Sequence, residues 1–286
     1  MGKFYDALKR SGIGAVDSPA SPSGNVVRMS AAKIEQSKSA PAEPERAQGS
    51  ALFTDGELDP HLAEILVSNS PAAERFRMLY TRLRVTEKIS QKPLKAIMVT
   101  SPEPLDGKSL ITAGLAISIA RGINESVVLV DCDLRAPTQH KRFGLHPKHG
   151  LSEYLTSGTQ ADYYLMPTCI QKLTLFPGGK RPPNPAELIQ SAKMRQLVEG
   201  LRSRGDDQYI LFDTPPDQVS AETTSLAHLM DGVLIVVRSG KTPKERIRET
   251  IESIGRERII GIVFNASDER KRDYYYYHRY YGEKNG

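Results

Sequence analysis

The sequence predicts an α/β fold, a mostly parallel sheet covered by helices on both faces. Three observations carry this expectation. First, six short runs, at 96–100, 127–130, 173–176, 209–212, 233–237 and 259–264, are almost continuously apolar. Strands buried on both faces read this way, whereas half-exposed strands alternate. Second, helical patterns separate several of the runs, at 108–121, 186–204, 221–230 and 243–254. Alternation of this kind builds right-handed crossovers and a parallel sheet. Third, polar constellations rich in carboxylates follow three of the runs directly. Such folds bind ligands at that edge, beyond the carboxyl ends of the strands.

At 286 residues the chain holds one domain of about 200 residues plus extensions. The start reads as a short amphipathic helix over 3–10, with Phe4, Ala7 and Leu8 on one face. Residues 11–50 are rich in Ser, Pro and Ala and bury too little apolar surface to offset ordering, so they read as a flexible linker. Residues 51–92 form a helical lead. Within it Ser70 caps, Pro71 suits the first helical position and Glu74 sits in the first turn of a helix over 72–90. The sheet domain spans 93–268, and 269–286 is a polar tail.

Net charge is +5 and the isoelectric point is near 9.1, which suits an anionic partner or an ordinary solvated surface. Cys132 and Cys169 form no Cys-x-x-Cys pair and give neither a disulfide framework nor a metal signature. The N-terminus lacks the apolar core of a signal peptide. The longest apolar run, 110–120, is too short to span a bilayer. A cytoplasmic location is expected, peripheral to a membrane only through a partner.

The first constellation, between run 96–100 and the next helix, ends in Asp106-Gly107-Lys108-Ser109-Leu110. A glycine lets the backbone approach phosphate, and free N–H groups at a helix start bind anions. Lys108 would reach the β- and γ-phosphates, and Ser109 would ligate Mg²⁺. The full Walker A spacing asks for a glycine at position 102, which holds Pro102. The second is Asp131-Cys-Asp133-Leu-Arg135-Ala-Pro137. Two carboxylates at i and i+2 suit Mg²⁺; the alternative is that one of them takes a proton from an attacking hydroxyl. The third is Asp213-Thr-Pro-Pro216, like a Walker B strand end. Any one of these alone reads equally as structural capping. Together on one sheet edge they predict a P-loop NTPase site for Mg-ATP.

Six of the twelve tyrosines lie in the last thirteen residues: Tyr274, Tyr275, Tyr276, Tyr277, Tyr280 and Tyr281. Their neighbours are polar and basic, so no packed core accounts for them. Each phenol is a potential phosphoryl acceptor.

With these features the chain resembles the bacterial tyrosine kinases of the polysaccharide-synthesis type, over residues 72–286. The likeness rests on the Walker A segment, the Asp-x-Asp-Leu-Arg-x-Pro box, Asp213-Thr-Pro-Pro216, Gly150-Leu-Ser-Glu-Tyr-Leu155, the segment 182–188 and the tyrosine cluster. The opening 3–8 looks like autokinases encoded beside exosortase-linked exopolysaccharide loci. The resemblance implies that Lys108 and Ser109 hold ATP and Mg²⁺. It also implies that Asp131 and Asp133 support the metal, with Asp131 the favoured base, and that Asp213 holds a metal-bound water. It implies autophosphorylation of the tail and control of exopolysaccharide synthesis or export. The partners it implies are a membrane-bound co-polymerase with an activating cytoplasmic tail, further copies of the chain and a tyrosine phosphatase, with no nucleic acid. Two positions depart from the family pattern. Leu105 stands where a glycine is usual, with a side chain that would crowd the phosphate loop. In the oligomerisation motif Glu-x-x-Arg-x-x-Arg, Glu74 and Arg77 match but Tyr80 replaces the last arginine. As alternatives, a partitioning ATPase of the ParA/MinD type would need a lysine where Glu103 stands. A nucleotide-binding scaffold without turnover would keep the site but not the chemistry.

Overall fold

The computed structural model describes residues 57–157, 160–217 and 221–267. The expected helix over 3–10, the linker and the tail tyrosines lie outside them.

Helix α1 (Pro60–Leu66) is capped by Asp59, and α2 (Pro71–Ser90) by Ser70, whose hydroxyl accepts from the Ala73 N–H at 3.0 Å. Strand β1 (Ala96–Thr100) is buried throughout and leads into α3 (Lys108–Ala120). Then come β2 (Ser126–Asp131), the single turn α4 (Gln139–Arg142) and α5 (Leu151–Ser157). A two-residue strand β3 (Met166–Pro167) precedes β4 (Leu173–Phe176). The rest comprises α6 (Pro185–Gln190), α7 (Ala192–Arg202), β5 (Gln208–Asp213), α8 (Ala221–Ala227), β6 (Gly232–Arg238), α9 (Lys244–Ile254) and β7 (Ile259–Asn265).

The strands form one seven-stranded sheet in the order β3-β4-β2-β5-β1-β6-β7. All pairings are parallel except β3 with β4. Buried side chains alternate between two cores. Ile97, Val99, Leu129, Leu211 and Val236 face α1, α2 and α3, while Met98, Val130, Phe212 and Ile235 face α6 to α9. Gly114 lets α2 approach α3 closely, because a Cβ there would overlap the Phe76 ring.

The expected single helix over 186–204 is two helices. Ser191 breaks it with an extended backbone (φ −66°, ψ 158°) and caps α7 through its hydroxyl. β7 was expected as another buried strand, but it sits at the sheet edge with Ile262 and Phe264 exposed. An apolar run alone cannot distinguish an edge from a centre. The helical lead over 51–92 did not separate α1 from α2, and the sequence reading missed α4 and β3, both short.

Candidate active site

The three constellations meet because the strands carrying them are neighbours. β5 lies between β2 and β1, Asp131 pairs in register with Asp213, and Val99 pairs with Asp213. Thr100, Asp131 and Asp213 therefore end on one sheet edge, all buried.

In the phosphate loop, Gly107 takes φ +96°, a conformation that disfavours any Cβ. A Cβ there would also overlap Asn265 Nδ2. Gly107 caps α3 without a side-chain hydrogen bond, which leaves the first-turn N–H groups, through Ser109 and Leu110, to meet an anion. The Asp106 carboxylate is a strut inside the loop. It accepts from the Thr242 hydroxyl at 2.8 Å and the Glu103 N–H at 3.2 Å, and Asn265 Nδ2 donates to the Asp106 carbonyl at 2.9 Å. Arg238 likewise donates to the Leu105 carbonyl at 3.3 Å. Leu105 stands beside the loop with 86% of its surface exposed. The reason for a glycine at this position is backbone geometry, since Leu105 holds φ +66°.

Lys108 Nζ donates to Asp133 Oδ2 at 3.1 Å and to Ser109 Oγ at 3.3 Å. Burial opposes its charge, but Asp213, Asp133 and Asp131 outweigh that and hold the ammonium above its ordinary range. Asp131 Oδ2 accepts the N–H groups of Thr138 and Gln139 at 2.9 and 3.0 Å, and Oδ1 accepts that of Asp133 at 3.3 Å. Even so, burial and the Asp213 charge push the Asp131 carboxyl well above the usual range. Burial raises Asp213 too, against the pull of Lys108. Asp213 Oδ2 accepts from Gln139 Nε2 at 2.8 Å, whereas Oδ1 is buried with no partner. Asp133 Oδ1 accepts the Ala136 N–H at 3.1 Å. Arg135, from the same box, pairs with buried Glu222 on α8 at 3.0 Å.

Three carboxylates thus surround one ammonium, leaving two formal negative charges in a buried place. Protons relieve this, and so does a divalent cation. Among the described residues no three acidic, His or Cys side chains form a ready-made metal cluster. Mg²⁺ draws on one or two carboxylates, a hydroxyl such as Ser109, waters and phosphate. Unpartnered Asp213 Oδ1 and the uncapped helix start fit such a group.

The proposed interface pair is a local one: Arg77 Nη1 meets Glu74 Oε2 at 2.5 Å, both side chains about half exposed. Exposed pairs at this spacing stabilise a helix by a few tenths of a kcal/mol. Tyr80 turns inward. Its hydroxyl donates to Glu125 at 2.9 Å and its ring packs edge-on to Tyr209. A cavity of about 380 Å³ lies by the far end of α3, lined by Ile65, Ala73, Arg77, Tyr80, Ser118, Arg121 and Gly122. It is away from the phosphate loop, where ligand would rest on backbone N–H groups and need no deep cavity. Gln139, Thr242, Arg238 and Asn265 all shape the loop site. Sequence reasoning missed them, because no motif marks residues that meet Walker A across the fold.

Residues 97–280 match the CobQ/CobB/MinD/ParA nucleotide binding domain family. The chain is 32% identical over 214 residues to the tyrosine-protein kinase YwqD of Bacillus subtilis (strain 168), across 74% of this chain and 87% of that protein. It is similar to the solved chimerical protein CapA2B2, with a TM-score of 0.66, 28% identity, and coverage of 75% and 94% of the two chains. MinD of Pyrococcus horikoshii OT3, solved with Mg-ADP, gives a TM-score of 0.51 at 16% identity, over 62% of this chain and 72% of that one. That last likeness concerns fold alone. By the extent of the match and the identity to YwqD, the chain belongs to the bacterial tyrosine-protein kinases, within the CobQ/CobB/MinD/ParA nucleotide-binding family.

Proposed function

We propose that this chain is an ATP- and Mg²⁺-dependent autokinase that phosphorylates Tyr274, Tyr275, Tyr276, Tyr277, Tyr280 and Tyr281. The single observation that carries the reading is the in-register pairing of Asp131 with Asp213 beside the Lys108 phosphate loop. Bound Mg-ATP would supply the phosphoryl group. The first-turn N–H groups of Ser109 and Leu110, with Gly107, would seat its phosphates. Lys108 would leave Asp133 for the phosphates and neutralise charge that grows during transfer. Ser109, Asp131 and Asp213 would hold the cation, two of them carboxylates in short supply of counter-charge.

The hydrogen bonds favour Asp133 over Asp131 as acceptor of the tyrosine proton. Three main-chain N–H groups hold Asp131 in a fixed direction, which suits a cation ligand, whereas Asp133 Oδ2 is engaged only by the Lys108 ammonium. Asp133 Oδ2 is released when Lys108 turns away. Glu103 in place of a second lysine weighs against a ParA/MinD-type ATPase.

Family membership supports a role in exopolysaccharide synthesis with a membrane-bound co-polymerase, and a phosphatase to reset the tail. No helix among the described residues is long and apolar enough to cross a membrane. Exposed Glu74 and Arg77 are available for self-association, without help from Tyr80. The test is purified chain with Mg-ATP, read by anti-phosphotyrosine signal. Wild type labels itself, and Lys108→Met keeps the fold and loses the signal. Equal labelling of the two would refute the assignment.

A further inference from the structure

Gln139 touches all three constellations. Its main-chain N–H donates to Asp131 Oδ2 at 3.0 Å, and its side-chain Nε2 donates to Asp213 Oδ2 at 2.8 Å and to the Ser109 carbonyl at 2.9 Å. The side chain is completely buried. Its orientation is fixed by chemistry: a carbonyl and a carboxylate accept, so the NH₂ end must face them. That leaves Oε1 buried with no donor, and Asp213 Oδ1 is in the same condition. Buried acceptors without donors are uncommon in folded proteins and call for an explanation. Two of them on one hydrogen-bonded pair, beside the phosphate loop, fit a site built to receive donors such as cation-bound waters.

We propose that Gln139 is a positioning residue that clamps Asp213 to the Ser109 main chain and aims the free Asp213 oxygen at the cation. This rests on the Mg-nucleotide reading above. A carboxylate held through one oxygen by a fixed amide presents the other in a single direction. Without the clamp its direction would be left to Lys108 and the Ser109 hydroxyl, both of which already act on it. Partners that orient a metal-binding group typically change metal affinity by 10- to 100-fold when removed. A plain space-filling role predicts no such effect, because methionine fills nearly the same volume.

The experiment uses the full chain, ADP and Mn²⁺, with free Mn²⁺ read by electron paramagnetic resonance. Gln139→Met should weaken Mn²⁺ binding in the ADP complex by about tenfold. The loss of Mn²⁺ affinity should be larger than any loss of ADP affinity measured in EDTA. If Gln139 acts through Asp213, the Gln139→Met/Asp213→Asn double variant should bind Mn²⁺ no more weakly than Asp213→Asn alone. Wild-type Mn²⁺ affinity in folded Gln139→Met, or additive losses in the double variant, would overturn the inference while leaving the nucleotide site intact. Gln139→Leu serves if the methionine variant does not fold. Failure of both to fold would make Gln139 a structural plug and equally overturn it. A wild-type chain that binds ADP with no response to Mn²⁺ would instead overturn the metal site itself, and this inference with it.

Discussion

Replacing Leu105 tests the reading of the phosphate loop in energetic terms. Leu105 holds φ +66° with its side chain 86% exposed, so it has backbone strain and almost no burial in return. The left-handed region costs a residue with a Cβ about 1–2 kcal/mol. Glycine removes that cost but adds about 0.5–1 kcal/mol of chain entropy to the unfolded state. The difference runs from about 0 to 1.5 kcal/mol, so Leu105→Gly should gain about 0.5–1 kcal/mol at the middle of that span. For a domain of this size that corresponds to a rise of about 1–4 °C in Tm. Leu105→Ala keeps the Cβ and the strain, so it should stay within about 0.5 kcal/mol of wild type. Thermal unfolding of the nucleotide-free chain compares the three. Both variants should bind ATP within about twofold of wild type, since the side chain points to water. A glycine variant less stable than the alanine one would refute the strain. A tenfold gain in ATP affinity on Leu105→Gly would show that the side chain does crowd the phosphates.

Gly114→Ala should cost about 1 kcal/mol, because overpacking against Phe76 exceeds the gain in helix propensity. Shortening the neighbour in Gly114→Ala/Phe76→Leu should recover part of the loss, as chemical denaturation would show. Of the two thiols, exposed Cys169 should react with a disulfide reagent in the native protein, and buried Cys132 only after unfolding. Burial and the flanking carboxylates hold the Cys132 thiol well above its usual range, so two fast thiols at neutral pH would contradict the packing around β2. A variant truncated after Asp273 should keep ATP binding and lose most self-labelling. Mass spectrometry that finds the label mainly upstream of residue 270 would reject the tail as substrate.

The sheet and its active edge were legible because both are written locally. An apolar run followed at once by Asp131 or Asp213 carries its own meaning, and so does Gly107-Lys108-Ser109 before a helical pattern. What was not legible depends on contacts between distant segments. Asn265 meets the Asp106 carbonyl across 159 positions, and Gln139 meets Asp213 across 74. Neither belongs to a motif, and an asparagine at a strand end or a glutamine after Pro137-Thr138 reads as ordinary turn chemistry. Tyr80 looked like a missing interface arginine until Glu125 and Tyr209 accounted for it. The exposure of Phe264 follows from β7 being last in the sheet order, which no local pattern records. The break at Ser191 was visible in principle, since serine caps helices, but the apolar periodicity runs straight across it.

The contact between Asn265 and the phosphate loop also sets the length of a leash. Asn265 ends β7 while its side chain touches the Asp106 carbonyl, so the following chain is anchored at the loop itself. Tyr274 is nine positions further on and Tyr281 sixteen. At no more than about 3.6 Å per residue, the Cα atoms of these tyrosines stay within about 32 Å and 58 Å of their own anchor. Over such short tethers, local concentrations reach about the millimolar range when the geometry allows contact. Labelling within one molecule would be independent of protein concentration, and labelling between molecules would rise with it. The kinetic order in protein thus reports whether the first tyrosines are kept from their own site or served to it.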